Sequence, residues 1–179
     1  GVGAYSHSYA YDAIGNLTSY AGSSYTYGTT NNQPHAVTGA YGNSYGYDAN
    51  GNQVRRTIAG VEYTLVYDYE NRLLAVNQGA TMIASFLYDA QGSRVMGTVA
   101  GVSTVYIAGL YEQNGAASTS YYEGGAMRRS GYASNNGVFY LLQDQLKSTS
   151  VIADQAGAEA AQQSFYPYGG NRGGAAFSE

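Results

Sequence analysis

Between residues 11 and 92 the chain repeats a tyrosine, an aspartate, two variable residues and then a glycine or an asparagine. The copies are Tyr11-Asp12-Ala13-Ile14-Gly15, Tyr47-Asp48-Ala49-Asn50-Gly51, Tyr67-Asp68-Tyr69-Glu70-Asn71 and Tyr88-Asp89-Ala90-Gln91-Gly92. That spacing is turn chemistry. Aspartate at the head of a type I turn accepts a hydrogen bond from the backbone N–H two residues on, and glycine at the fourth place enters the left-handed region that closes a bulged hairpin. Asn71 stands in for glycine in the third copy, and asparagine is the next residue to tolerate that conformation. Each copy is expected to be strand, tight turn, strand, and these twelve tyrosine, aspartate and glycine or asparagine positions are its structural residues.

Tyr27-Gly28-Thr29-Thr30-Asn31-Asn32-Gln33-Pro34 looks like a degenerate copy with glycine in place of aspartate. Including it, the repeat runs at about 20 residues, which suits two strands and two turns. Tyr-x-Tyr alternation at Tyr9/Tyr11, Tyr25/Tyr27 and Tyr45/Tyr47 sets the rings on one face of each strand. Runs such as Glu62–Tyr67, Met82–Tyr88 and Val102–Ile107 are β-branched and aromatic, and the turns between copies fall on Ala59-Gly60, Gln78-Gly79 and Ala100-Gly101. After Gly101 the Tyr-Asp copies stop and the strand grammar persists. Ala156–Gln163 is the best helix candidate, in competition with a further Asp-x-x-Gly turn at Asp154–Gly157.

Composition narrows the function. A net charge of -4 with only eight Lys and Arg argues against nucleic acid, which asks for a basic face. The absence of cysteine removes disulfides, thiolate zinc sites and cysteine catalysis. No apolar run is long enough for a membrane-spanning helix. Asp12, Asp48, Asp68 and Asp89 make poor calcium ligands, because each turn offers one carboxylate where calcium wants several converging oxygens. His7 and His35 are too isolated for a metal or a triad, and Ser148-Thr149-Ser150 beside Asp144 lacks a histidine. The reading is of no catalytic, cofactor or metal site and no enzyme. Asn16-Leu17-Thr18 forms a glycosylation sequon that the repeat grammar itself generates. The tyrosine stripe is explained by cross-strand ring pairs, without a sugar or base stacked on it.

In its Tyr-Asp-x-x-Gly copies the chain resembles the YD repeats of RHS-repeat proteins, followed by an RHS-associated core. Gln33-Pro34-His35-Ala36-Val37 resembles an insertion found among YD copies. Tyr140–Ser150 is similar to the family's Asp-His-Leu-Gly-Ser motif, and Tyr166-Pro167-Tyr168-Gly169 to its Pro-Phe/Tyr-Gly segment. The resemblance implies an all-β fold, a spiralling antiparallel sheet of hairpins, solenoid- or barrel-like, in secreted or cell-surface proteins. Residues 1–100 would be the YD hairpins, and 101–179 a core-like region continuous with the same sheet. In the family's toxins such a sheet forms a shell around an effector. Gln145 stands where the family has histidine and Lys147 where it has glycine. Neither Pro34 nor Pro167 follows aspartate, so the family's self-cleavage signature is missing.

Two functional expectations follow. The first is an extracellular structural module that assembles with copies of itself or with adjacent YD repeats through open sheet edges, giving a filament or surface fibre. Its sequence basis is the weakly guarded ends, where Arg172 is the one charged side chain across residues 1–10 and 169–178. The alternative is a fragment of a larger shell that encloses a toxin effector.

Overall fold

A computed structural model describes residues 6–28, 33–175 and 177. Among these the chain is all-β, apart from a 3-10 turn at Pro167–Gly169. It forms two compact units. One runs to Gly92 and takes in Gly97–Gly101, and the other comprises Ser93–Met96 and the chain from Val102 on.

The first unit carries β1 (Tyr9–Tyr11), β2 (Leu17–Tyr20), β3 (Ser23–Tyr27), β4 (Val37–Ala40), β5 (Asn43–Tyr47), β6 (Gln53–Ile58), β7 (Val61–Tyr67), β8 (Leu73–Gln78) and β9 (Thr81–Tyr88). Strand β10 (Arg94–Val99) contributes residues to both units. The second unit carries β11 (Val102–Ile107), β12 (Tyr111–Asn114), β13 (Ala117–Tyr122), β14 (Ala126–Ser130), β15 (Gly137–Gln143), β16 (Thr149–Asp154), β17 (Glu159–Phe165) and β18 (Asn171–Gly174). Within each unit every strand pairs antiparallel with its neighbour in the chain, so both are hairpin meanders.

Two kinds of turn alternate in the first unit, and they sit at opposite strand ends. At one end lie the aspartate turns. At the other lie two-residue turns at Ala21-Gly22, Tyr41-Gly42 and Ala59-Gly60, in which both central residues have positive φ, as type I′ hairpins require. Next to the aspartate turns the register slips by one residue at the repeat tyrosine, between Ala10 and Tyr11, Gly46 and Tyr47, and Val66 and Tyr67. A slip of this kind is a β-bulge, and the left-handed residues supply it: Gly15 at φ 88°, Gly51 at 90° and Asn71 at 61°.

Register fixes what each face carries. Tyr25 lies opposite Ala40, Ala40 opposite Asn43, Tyr45 opposite Arg56, and Arg56 opposite Tyr63, so one face holds the tyrosines. Arg56 lies 5.4 Å from the centre of the Tyr63 ring, a cation–π contact. The opposite face presents Thr26, Gly39, Ser44, Gly46, Thr57 and Thr64. Burial is thin throughout. Among the described residues the buried apolar side chains are Ala40, Val76 and Ala84 in the first unit and Met127 and Phe139 in the second, and none of the large ones is fully enclosed.

The helix candidate at Ala156–Gln163 is corrected by the structure. Asp154 opens a turn, Gly157 takes φ 82°, and β17 then pairs with β16, with Ile152 opposite Ala161. Alanine and glutamine favour helix by only tenths of a kcal/mol per residue, and a β-branched partner strand outweighs that preference. In the degenerate copy, Thr29–Asn32 lie outside the described residues. Its flanks close through the Gly28 N–H bonded to the Ala36 carbonyl, a wider loop than in the four full copies.

Candidate functional site

The residues singled out by the repeat come together as one edge of the first unit. In the Asp12 turn, the Oδ1 atom accepts the Ile14 and Asn16 backbone N–H groups at 3.0 and 2.8 Å. Oδ2 accepts the Asn16 side-chain amide at 2.9 Å. Asp48 repeats the arrangement with Asn50 and Asn52, and Asp68 with Glu70 and Arg72, where the Arg72 guanidinium contacts Oδ2 at 2.6 Å. Asp89 accepts the Gln91 N–H, and Gly92 has φ 84°. Backbone bonds complete each loop. The Asp48 N–H donates to the Asn52 carbonyl, the Gly51 N–H donates to the Asp48 carbonyl, and the Asp12 and Asp68 turns match.

At Asp12, Asp48 and Asp68 these bonds favour the ionised carboxyl. For Asp48 the Asn52 amide is the largest influence, opposed by partial desolvation and reinforced by backbone N–H groups, and the carboxyl falls below its ordinary value. At Asp68 the Arg72 N–H leads, again against desolvation, with the Arg72 side chain adding to it. Desolvation is the largest influence at Asp12 and pushes upward, but the summed bonds from Asn16, Ile14 and Gly15 still leave the carboxyl lowered.

The turns are also stitched sideways, which the sequence does not announce. The Asn16 amide donates to the Pro34 carbonyl and its Oδ1 meets His35 Nδ1 at 2.6 Å. Gln33 donates to the Asp48 carbonyl, Asn52 to Asn71 Oδ1, and Arg72 to the Asp89 carbonyl. The result is a polar ladder running from turn to turn. Three tyrosine hydroxyls add a second set of ties: Tyr27 to the Leu17 carbonyl, Tyr47 to that of Val37 and Tyr88 to that of Leu73, each at 2.9 Å. Tyr27, Tyr47 and Tyr88 therefore anchor to the preceding hairpin through the hydroxyl as well as the ring. Burial of Tyr67, with the Asp48 charge nearby, raises its phenol. Asn16 is 6% exposed and bonded through both ends of its amide, so the sequon presents no open acceptor nitrogen.

The second unit reuses the turn where the Tyr-Asp pair is absent. Asp144 accepts the Leu146 and Ser148 N–H groups, and Asp154 those of Ala156 and Ala158. Lys147 occupies the glycine place at φ 63°. A left-handed residue with a Cβ costs roughly 1–2 kcal/mol, partly offset by the greater chain entropy that glycine loses on folding. Lys147→Gly is expected to stabilise the second unit by about 0.5–1 kcal/mol, read as a rise in its denaturant midpoint; an unchanged or lower midpoint would contradict the turn assignment.

Elsewhere in this unit Arg129 is 6% exposed, with its guanidinium 3.7 Å from the Tyr132 ring centre and 4.9 Å from that of Phe177. The Tyr132 hydroxyl meets buried Thr119 at 2.8 Å. Burial pushes the Tyr121 phenol up to about 12, with the Glu112 carboxylate adding to it. Thr119 is marked by no sequence pattern beyond its place in a strand, while Arg129 belongs to the pair Arg128-Arg129, which in the sequence reads as a solvated strand end; strand alternation leaves Arg128 exposed and buries Arg129. Ser148, Thr149 and Ser150 lie at the Asp144 turn and the start of β16, and the Asp144 carboxylate is bonded to turn backbone. Among the described residues no group of three or more His, Asp or Glu is placed to hold a metal ion, and no helix is long and apolar enough to cross a membrane.

No protein-family model matches the sequence, and no curated protein does. Solved structures do resemble the fold. TcdB2-TccC3 with Cdc42 aligns at a TM-score of 0.52 and 16% identity, over 96% of this chain and 14% of that one. TcdB2-TccC3 without its hypervariable C-terminal region gives 0.53 and 15%, over 96% and 12%. The Photorhabdus luminescens Tc holotoxin pore gives 0.50 and 16%, over 96% and 13%. The chain thus has an all-β hairpin-repeat fold like that of these Tc toxin chains and spans 12–14% of their length.

Proposed function

We propose that the chain is a non-catalytic structural segment of an extracellular YD-repeat wall, one stretch of a larger shell of the kind that encloses an effector. Residues 1–100 supply the hairpin repeats of that wall and 101–179 its core-like part. The observation that carries this reading is the turn ladder. The polar groups that the repeat provides are engaged in closing turns and tying each to the next, which is what a wall of stacked hairpins needs for its register. Thin burial supports the same reading, since a sheet ordinarily covers one face with another layer or with cargo. The likeness to much longer Tc toxin chains favours a wall segment over a self-sufficient domain.

A fibre is the second reading, and the open strands favour it. Within its unit, and among the described residues, β1 pairs with β2 alone, and β18 likewise with β17 alone. Such edges accept further strands, either from the same polypeptide or from another copy. Electron micrographs of the native material that carries this chain separate the two. Hollow capsules are expected. Extended fibres would replace the shell with the filament, and isolated small particles at high concentration would overturn both.

A further inference from the structure

Of the turns in which both central residues have positive φ, those at residues 21, 59, 100 and 108 place alanine first, followed by glycine. Gly124 leads another such pair, and tyrosine leads two, Tyr168 before Gly169 and Tyr41 before Gly42; Tyr41 has φ 52° and is 53% exposed. A bulky side chain in the left-handed region is an outlier that some other contact has to hold in place. Here that contact is Tyr25 on β3. The Tyr25 hydroxyl donates to the Tyr41 oxygen at 3.0 Å, and the rings meet edge to face with centres 5.6 Å apart. The chain has no cysteine, so no disulfide can tie strand to strand.

We propose that Tyr25 and Tyr41 are a dityrosine cross-linking site, joined ring carbon to ring carbon by a one-electron oxidant of the peroxidase and hydrogen peroxide class. Tyr41 is the entry point because it is the exposed partner. Loss of one electron and one proton turns its phenol into a phenoxyl radical. That radical takes a hydrogen atom from the Tyr25 hydroxyl across the existing bond, which restores Tyr41 and moves the radical to Tyr25. A second oxidation at Tyr41 sets two radicals side by side. Their carbons ortho to oxygen form the new bond, and each displaced ring hydrogen returns to oxygen as the rings re-aromatise. In total the two phenols give up two electrons and two protons, and one peroxide becomes two waters. Burial and the Tyr41 contact raise the Tyr25 phenol, so hydrogen-atom transfer is favoured there over prior ionisation. The stacked pair Tyr9 and Tyr20, with ring centres 5.1 Å apart, has the Tyr9 hydroxyl shielded from solvent and is the weaker competitor.

The test treats dilute full-length chain with a haem peroxidase and hydrogen peroxide. Expected are dityrosine fluorescence in the monomer band on a denaturing gel, an intact mass short by two hydrogens, and a digest in which the Tyr25 and Tyr41 peptides are joined. Tyr25→Phe and Tyr41→Phe should each cut the monomer fluorescence several-fold. Tyr41→Ala, which copies the alanine-led turns and is expected to fold, should do the same while leaving the circular dichroism spectrum unchanged. Fluorescence confined to oligomers, or internal links that map to other tyrosines with the Tyr25 peptide left free, would overturn the proposal.

Discussion

Gly131→Ala is expected to remove about 3–4 kcal/mol from the stability of the second unit, a large share of what a domain of this size holds. Gly131 follows β14 at φ 76°, and a Cβ there would run into the Ala116 backbone carbonyl oxygen and close on its carbon and on the Ala117 Cα. Alanine therefore meets two costs. Left-handed backbone with a Cβ is strained by roughly 1–2 kcal/mol, and the clash is with backbone, which cannot swing aside as a side chain would. Relief requires β13 and β14 to part where Ser118 faces Ser130. Buried Thr119 and Arg129 form the next pair along these strands. Gly115→Ala is the control. Gly115 also has positive φ, at 59°, but a Cβ there meets nothing within 4 Å. It should cost only about 1 kcal/mol. Denaturant midpoints for the two variants read the difference, and equal losses would mean that the close approach contributes nothing.

Gly174 repeats the device. It has φ 80°, and a Cβ there would strike the Gln162 carbonyl oxygen, the acceptor for the Ala175 N–H. Nothing in the sequence separates Gly131 and Gly174 from the other glycines, because what makes them irreplaceable is a strand about fifteen residues away or nearer folding back over them. The aspartate turns are the opposite case. Every group that defines them lies within five residues, so the spacing of Asp12 and Gly15 carries the all-β fold class in the letters alone. The same locality explains the error at Ala156–Gln163, where two local signals competed and a partner strand decided. It explains Lys147 as well, which hides a turn because the residue type contradicts the conformation it adopts. The sideways bonds from Asn16, Asn52 and Arg72 were not legible. The polar residue following the glycine place is visible in each copy, but its reach to the next turn depends on how neighbouring hairpins stack. Nor does a tyrosine announce that its hydroxyl, rather than its ring alone, ties it to the hairpin before.

Acid is expected to unfasten the first unit at its turn edge before the strands themselves fail. Asp12, Asp48 and Asp68 all have folded-state values lowered from the ordinary 3.8. An unfolded chain thus takes up protons at these positions at a higher pH than the folded one does. The stability they contribute is complete above the unfolded value and drains away as pH falls through the lower folded values. Neutralising a carboxyl also costs it an acceptor: a protonated Asp48 Oδ2 would turn a hydrogen toward the Asn52 amide, which already donates to it at 2.9 Å. Because the Asn52 amide bridges to Asn71 in the next turn, loosening one turn loosens its neighbour. Thermal midpoints should hold steady from about pH 7 to about pH 5 and then fall steeply below about pH 4. Asp48→Asn tests the cause, since its amide would face the Asn52 amide donor to donor. That variant should melt several degrees lower at neutral pH and lose less on acidification, because one of the three titrating turns is already undone. An Asp48→Asn chain with the unaltered acid profile would show that the ladder does not set the acid limit, and the role given to these aspartates would have to be withdrawn.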